Sequence, residues 1–501
     1  MKKIALIGIN ARYYHTSIGL RYIFANLKEL QNQAQILEFM INENAQTLAE
    51  KILELSPEII GIGVYIWNAE DVKSLIEIIK KVSPQTKIIL GGPEVSHEPF
   101  RVNFDDADYI IQGEGDLAFY ELCKKILDDN LPSKKIIPPA QISPKELQLP
   151  YKYYTDEDVQ NRYIYVETSR GCPFLCEFCL SSMDEKVRNF DLETVLSELE
   201  TLWQRGVRNF KFIDRTFNLD IATAIMLLDF FLAKKEQYFV HFEVIPDHFP
   251  HELRERIASF PEGSLQLEIG IQTLDKEIAK NIKRKLNIEK IKENIHFLNT
   301  QTKAHLHLDL IVGLPGESLE GFAKNLNELY ALTSSEIQIG ILKKLSGTTL
   351  SRHDIEHGMI YSEKPPYDIL KNNLISFKEM QKMKRFARFW DLMYNSGNLK
   401  KTVNFLAVNG DIFTNFYNLS DWIYSQTDST WKISLDRLAK YLFDFLTIVL
   451  NIPEKEVKEI MIKDIAKVEG RRIPPFLRDD ITPILEKKER ATELNKRQSR
   501  H

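Results

Sequence analysis

The chain has 501 residues, roughly three times the length of an ordinary single domain. Its 44% apolar and 27% charged residues are typical of a globular protein, and 21 glycines with 20 prolines are too few for long disordered stretches. With 66 basic and 71 acidic residues, the net charge of −5 gives no electrostatic case for nucleic acid or an anionic membrane as the main partner. Four cysteines exclude a disulfide scaffold of this size.

The N-terminal apolar run Ile4–Ile9 follows two lysines, as in a signal peptide. It is short and lacks a small-residue cleavage site, so we interpret it as a buried first strand. No stretch approaches the roughly 18 uninterrupted apolar residues of a membrane span. We therefore expect a cytoplasmic protein whose thiols stay reduced.

Residues 1–135 alternate short apolar runs with amphipathic stretches. This rhythm predicts an α/β domain with a doubly wound parallel sheet of flavodoxin-like or Rossmann-like type. The predicted strands are Lys3–Ile9, Gln35–Met40, Ile59–Ile66, Lys87–Leu90 and Tyr109–Ile111, with helices over Ile18–Leu30, Ala45–Leu55 and Ala69–Val82. Gly91-Gly92-Pro93 and Gly113-Glu114-Gly115 follow the last two strands, where such sheets bind ligands.

Residues 136–161 are rich in proline and are interpreted as a linker. A second alternation over 162–360 predicts a partial TIM-type (β/α)6 barrel. Its strands are Tyr163–Glu167, Asn209–Ile213, Val240–Ile245, Leu265–Ile271, His305–Val312 and Glu336–Leu342. Its helices are Asp191–Trp203, Ile221–Phe231, Glu252–Ser259, Ile288–Asn299 and Leu319–Leu332. Residues 365–501 are predicted to be mainly α-helical without a strand, with long helices over Leu374–Tyr394 and Leu435–Val449 and a frayed charged end over 486–501.

Three of the four cysteines, Cys172, Cys176 and Cys179, follow the first barrel strand with C-x3-C-x2-C spacing. Three thiolates on one short loop favour zinc or an iron–sulfur cluster over unrelated core cysteines. A structural zinc site needs four ligands, and no fourth ligand is evident nearby. Three thiolates on a four-iron cluster would leave one iron open to a substrate or cofactor.

This motif after the first strand of a six-fold barrel resembles the radical SAM superfamily, and Gly171, Pro173 and Phe178 match its usual surroundings. The resemblance implies a 4Fe-4S cluster on Cys172, Cys176 and Cys179. S-adenosylmethionine (SAM) would chelate the fourth iron and be cleaved by one electron to methionine and a 5′-deoxyadenosyl radical.

The resemblance also implies SAM contacts at the barrel rim, from Phe178, Asp214, Glu268, Gln272, Arg284 and Gly313. Asp214 would meet the methionine amino group and Arg284 the carboxylate. As alternatives, Asp214 and Glu268 are rim salt-bridge partners, Arg284 is a surface charge and the Gly313–Glu317 loop is a tight turn. His241, His248, His305 and His307, near the third and fifth strands, are interpreted as satisfied core or surface residues.

The first domain resembles the cobalamin-binding domain of B12-dependent radical SAM proteins, and the helical end resembles a domain of unknown function found in a sub-family of them. Gly91, Gly92, Pro93, Gly113 and Gly115 would line the cobalamin. The D-x-H-x-x-G segment that ligates cobalt is absent. Cobalt therefore lacks a protein ligand, or His15 serves, or the domain keeps only its fold.

The resemblance implies methyl transfer to an unactivated carbon of an unknown small-molecule or peptide substrate. Oxidative cyclisation or rearrangement with a vestigial cobalamin domain is the alternative within it. An external one-electron donor of flavodoxin or ferredoxin type would be the partner. A non-catalytic iron–sulfur electron carrier or redox sensor is the hypothesis from another class. RNA modification through the basic stretch Leu374–Tyr394 is a third, which the net charge disfavours.

Overall fold

A computed structural model describes residues 3–407, 410–468 and 470–480, with side chains up to 478. The predicted frayed end over 486–501 lies outside the described residues. The chain divides into two compact units. Unit 1 comprises the described residues up to Glu243 with Lys343–Arg352 and Tyr361–Asp368, and unit 2 comprises the rest. Within the described ranges, no helix combines the length and apolar character needed to cross a membrane.

The first sheet of unit 1 is parallel, with strand order β2-β1-β3-β4-β5-β6. Alternate residues of β1 enter two different cores, Ile4 and Leu6 in one and Ala5 and Ile7 in the other. This burial on both faces confirms the predicted doubly wound domain. The strands are β1 Ile4–Asn10, β2 Ala34–Met40, β3 Ile59–Gly63, β4 Lys87–Gly91, β5 Tyr109–Ile111 and β6 Ile136–Ile137, and the helices are α1 Ile18–Ala25, α2 Ala45–Leu53, α3 Ala69–Val82 and α4 Ala118–Leu127.

Three predicted elements of this domain are shorter in the structure, and one of them, α2, ends at Leu53 rather than Leu55. Helix α1 ends at Ala25, because Asn26 folds back onto the Tyr22 carbonyl at 2.8 Å and Lys28 takes a left-handed φ of 48°. Strand β3 ends at Gly63, because the chain turns at Tyr65, whose amide donates to the Asn68 side chain at 2.8 Å. Strand β6, in the predicted linker, extends the sheet.

The rest of unit 1 carries the first barrel strands and the cysteines. Strands β7, β10 and β11 are parallel neighbours, and β8 pairs antiparallel with β9. We call residues 171–187, between β8 and β9, the cluster loop. The elements are α5 Asp156–Asn161, β7 Ile164–Val166, β8 Ser169–Arg170, β9 Arg188–Asn189, α6 Leu192–Gln204, β10 Asn209–Phe212, α7 Ile221–Leu232 and β11 Phe239–Val244.

Unit 2 carries the other three barrel strands in chain order, with β12, β13 and β14 parallel. All six predicted barrel strands are present, and β13 and α11 have the predicted bounds. The elements are α8 His251–Ser259, β12 Leu265–Gln272, α9 Lys276–Asn281, α10 Ile288–Gln301, β13 His305–Val312, α11 Leu319–Leu332 and β14 Glu336–Ile341.

The C-terminal part is helical, as predicted, but the expectation of no strand is wrong, since Ile369–Lys371 is extended. The remaining elements are β15 Ile360–Tyr361, β16 Ile369–Lys371, α12 Phe377–Trp390, α13 Lys400–Val403, α14 Ile412–Thr427, α15 Leu435–Asp444 and α16 Glu454–Ala466. Wider π-helical turns follow α12 over Asp391–Asn395 and α15 over Phe445–Val449, so each predicted long helix changes pitch before its end.

Three basic side chains of α12 make contacts within this helical part. Lys382 and Arg385 pair with Asp421 of α14 at 2.8 and 3.3 Å. The Arg388 guanidinium lies over the Trp431 ring, 4.6 Å from its centroid. Contacts within the helical part therefore account for Lys382, Arg385 and Arg388, three of the basic residues on which the RNA hypothesis depends.

We predict that Arg21→Ala lowers the free energy of unfolding by about 3–5 kcal/mol. The Arg21 side chain is 3% exposed and donates to Glu38 at 2.7 Å and to Asp158 at 2.8 Å. Its loss leaves these two buried carboxylates with only the more distant Arg162, at 3.3 and 3.5 Å. Lys51→Ala, which removes an exposed pair with Glu43, is the control and should cost less than about 1 kcal/mol. Equal losses in urea denaturation of the two variants would contradict this assignment.

Candidate functional site

A cavity of about 500 Å³ lies in unit 1 at the carboxyl ends of β3, β4 and β5. The glycine-bearing loops predicted from the sequence border it, through Gly91, Gly92, Pro93, Gly113 and Gly115. Its other wall includes Ser169, Arg170 and Gly171, which directly precede Cys172. The cavity therefore connects the predicted cobalamin loops with the start of the cluster loop.

The glycines of these loops have two different roles. A Cβ atom on Gly91 or Gly115 would meet no atom closer than 3.8 Å, so both leave room for a ligand against the backbone. Gly92 and Gly113 have left-handed φ values of 107° and 69°, and a Cβ there would lie 2.5 Å from the Val64 carbonyl oxygen and 2.8 Å from Pro139. The first pair therefore forms a cradle, and the second pair makes the turns that shape it.

The cluster loop is closed at its neck by backbone contacts. The Cys172 amide donates to the Asp184 carbonyl at 2.8 Å. Gly171 has a φ of 91°, and a Cβ atom there would lie 2.4 Å from the Lys186 carbonyl oxygen. Only glycine fits this neck, which explains the residue before the first cysteine.

The three thiols of the loop differ in exposure: Cys172 is buried, and Cys176 and Cys179 are partly buried. Burial raises the pKa of the Cys172 thiol, and the other two thiols raise it further. Phe178, which precedes Cys179 in the sequence, is half-buried. Among the described residues, no three His, Cys, Asp or Glu side chains converge on a point that could hold a single metal ion. Cysteine thiolates are the ligands that iron–sulfur clusters take from proteins, and this loop carries three of them.

Cys123, the fourth cysteine, lies apart from these three, on the buried face of α4. Its side chain is fully buried among apolar residues, and burial raises its thiol pKa. It is a packing residue.

Asp214, at the end of β10, is buried and already has protein donors. Its carboxylate accepts from the Thr168 hydroxyl at 2.6 Å and the Ser169 hydroxyl at 2.7 Å, and from the Thr168 amide. Burial raises the pKa of this carboxyl, and these hydrogen bonds oppose the shift. Asp214 therefore positions the segment that leads into the cluster loop.

Arg215, the next residue, borders the cavity and pairs with Glu243 of β11 at 3.0 Å. Its guanidinium also lowers the pKa of the Cys172 thiol, against the larger effect of burial. A cation thus lies near the thiol of the first cysteine.

In unit 2, three predicted SAM residues lie on or against the end of β12. Arg284 donates to the Gly270 carbonyl at 2.6 Å, so it is held against the strand and is not a free surface charge. Gln272 has a left-handed φ of 66° at a register shift, and its amide covers Gly270. Glu268 lies two residues before Gly270 on the same face of β12, in register with His307 of β13.

Gly313 is enclosed by unit 2 itself. A Cβ atom on it would lie 2.9 Å from Ile369 and 3.0 Å from Met380, and its φ is 87°. Its amide donates to the Glu317 carboxylate at 3.0 Å. These contacts and the left-handed backbone explain why a glycine occupies this tight turn.

The histidines that the sequence singled out have partners. His305 lies 3.0 Å from the Glu336 carboxylate, and His307 lies 3.9 Å from its other oxygen. His241 is buried in β11. His15 contacts the Tyr165 hydroxyl through Nδ1 at 2.6 Å and is not among the residues that line the cavity.

Four charged residues beside the cavity were not identified from the sequence: Glu114, Asp116, Arg170 and Arg188. We call them the arginine–carboxylate network. Arg170 pairs with Asp116 at 2.9 Å, and Arg188 pairs with Glu114 at 2.6 Å. The sequence Gly113-Glu114-Gly115-Asp116, in which acids alternate with glycines, could have pointed to the two carboxylates. It does not reveal that arginines pair with them.

Comparison with protein families matches each part of the chain. Residues 4–123 match the B12 binding domain, and residues 166–329 match the radical SAM superfamily. Residues 355–500 match DUF4080, described as a protein of unknown function.

Among curated proteins, the uncharacterized methyltransferase PH0819 of Pyrococcus horikoshii is 26% identical over 379 residues, covering 68% of this chain and 79% of its own. The cobalamin-dependent radical SAM methyltransferase TokK of Streptomyces tokunonensis is 25% identical over 340 residues, covering 59% of this chain. This match spans only 48% of TokK.

Among solved structures, the cobalamin-dependent SAM radical enzyme OxsB, with aqua-cobalamin and SAM bound, aligns with a TM-score of 0.61 at 14% identity. The alignment covers 92% of this chain and 78% of that one. At this identity, the likeness bears on the fold alone.

We predict that ionisation of Glu317 destabilises the chain as pH rises. Burial raises the pKa of this carboxyl to about 8, although the hydrogen bond from the Gly313 amide lowers it. The folded chain therefore keeps a proton that the unfolded chain releases near its ordinary pKa, and stability falls as pH rises through this interval. From pH 6 to 8 the Glu317→Gln variant should lose roughly 2 kcal/mol less unfolding free energy than the parent. Exposed Glu356→Gln is the control, and parallel profiles for Glu317→Gln and the parent would contradict the prediction.

Proposed function

We propose that this chain, a radical SAM protein with an N-terminal B12-binding domain, is an enzyme that transfers a methyl group to an unactivated carbon. It would use a 4Fe-4S cluster, SAM and cobalamin. The observation that carries the proposal is the cavity of unit 1, whose walls include both the cradle glycines and the residues that precede Cys172. A ligand in the cradle would thus lie beside the cluster loop.

The residues present fit both groups. Cys172, Cys176 and Cys179 would hold the cluster, and the open backbone at Gly91 and Gly115 would receive the cobalamin. When bound, the cluster supplies the electron that cleaves SAM, and cobalamin supplies the methyl group. The apolar residues Leu6, Ile62 and Phe119 in the cavity wall would exclude water from the reacting groups.

Asp214 orients the approach to the first cysteine through its bonds to Thr168 and Ser169. Asp214, Glu268, Gln272, Arg284 and Gly313, with Phe178, remain the proposed SAM contacts. We place the enzyme in the cytoplasm, where thiols stay reduced, with a flavodoxin or ferredoxin as electron donor.

We predict that alanine at Cys172, Cys176 or Cys179 abolishes SAM cleavage. Each substitution removes a cluster ligand, so iron after anaerobic reconstitution should fall from about four atoms per chain to a small fraction. Dithionite and SAM should then yield no 5′-deoxyadenosine. Cys123→Ala should retain both iron and product. A fully reconstituted parent that forms no 5′-deoxyadenosine would refute radical initiation.

We predict that Gly91→Leu and Gly115→Leu each weaken cobalamin binding by at least about tenfold, because the new side chain occupies the cradle. Neither glycine has a left-handed φ, so the substitution adds volume without backbone strain. Gly321→Ala, in helix α11, is the matched control. Cobalamin per chain is measured from the absorption of protein purified after growth with vitamin B12. Undiminished cobalamin in the leucine variants would place the ligand elsewhere.

A further inference from the structure

The two residues that flank the neck of the cluster loop are both arginines. Arg170 on β8 lies directly opposite Arg188 on β9. Like charges in opposed strand positions repel one another, so this short ladder requires anions beside it.

The anions come from the loop that contributes Gly113 and Gly115 to the cavity. Asp116 accepts from both terminal nitrogens of Arg170, at 2.9 and 3.1 Å. Glu114 accepts from both terminal nitrogens of Arg188, at 3.1 and 2.6 Å. The arginine side chains are only 14% and 10% exposed, so these paired, charge-assisted bonds are poorly screened by solvent.

Further contacts tie each arginine to the two sides of the neck. Arg170 also pairs with Glu167 at 2.9 Å, next to the Asp214-bound segment. Arg188 donates to the Ile142 carbonyl and to Asp184, whose own carbonyl accepts from the Cys172 amide. The Arg170 guanidinium lies 4.8 Å from the centre of the Tyr22 ring, which lines the cavity. One network thus contacts the cavity wall and both ends of the cluster loop.

We infer that Glu114, Asp116, Arg170 and Arg188 are positioning residues that couple occupancy of the cavity to retention of the cluster. A ligand that orders the loop over 113–116 holds the two carboxylates in place, and they hold the arginines of the neck. The same coupling acts in reverse, because linkage between two binding equilibria is reciprocal. The inference rests on the proposed function for the identity of the ligand, cobalamin.

The test measures how fast a chelator removes iron from the anaerobically reconstituted chain, with and without saturating hydroxocobalamin. In the parent, cobalamin should slow iron loss at least about fivefold. Glu114→Gln and Asp116→Asn should bind hydroxocobalamin and still show less than about half of that protection. Glu43→Gln, which removes an exposed unit 1 carboxylate from its pair with Lys51, should keep the full effect.

Arg188→Lys provides a second, milder variant, since it keeps the charge and removes the two-nitrogen contact with Glu114. It should give protection between those of the parent and Glu114→Gln. Full protection in all three network variants would overturn the inference. So would a parent that binds hydroxocobalamin and gains no protection, although the proposed function would then stand. A parent that binds no hydroxocobalamin would overturn both, and the titration itself distinguishes the two cases.

Discussion

Two opposed arginines at the neck of the cysteine loop impose the constraint on which the arrangement of unit 1 depends. Arg170 and Arg188 lie side by side because carboxylates surround them. Asp116 and Glu114, which accept from both terminal nitrogens of these arginines, belong to a loop at the end of the first sheet. Meeting this electrostatic requirement brings the cradle glycines next to the first cysteine. The cavity is therefore a consequence of charge pairing as well as of sheet topology.

Asp214 and Gly171 both fix the backbone that leads into the cluster loop, but by different means. Asp214 holds the backbone before the loop with hydrogen bonds from Thr168 and Ser169, and Gly171 allows the close approach that its neighbours require. The segment from Thr168 to Cys172 is thus fixed by side-chain acceptors, by ion pairs and by a left-handed turn. Such an ordered support is what three ligands on one short loop need in order to hold a cluster in one geometry.

The elements predicted with most success are those with local signals. The period of apolar residues located α3, β13 and α11 to the residue, and cysteine spacing alone located the cluster loop. The partners of Arg170 could not be predicted, because Asp116 is 54 residues away and no local pattern encodes the pair. The close approach of Ile369 and Met380 to Gly313 could not be predicted either, because both residues are distant from it in sequence. The π-helical turns after α12 and α15 could not be predicted, because their sequences continue the apolar spacing of an α-helix.

The proposed function depends above all on whether cobalamin binds in the cavity beside the cluster loop. Anaerobic titration of the purified chain with hydroxocobalamin, followed by the visible absorption of the corrin, measures this binding. We expect saturable binding in the parent, strongly weakened binding in Gly115→Leu, and tighter binding after the cluster has been reconstituted. Absence of saturable binding in the parent, or equal affinity in Gly115→Leu, would contradict it.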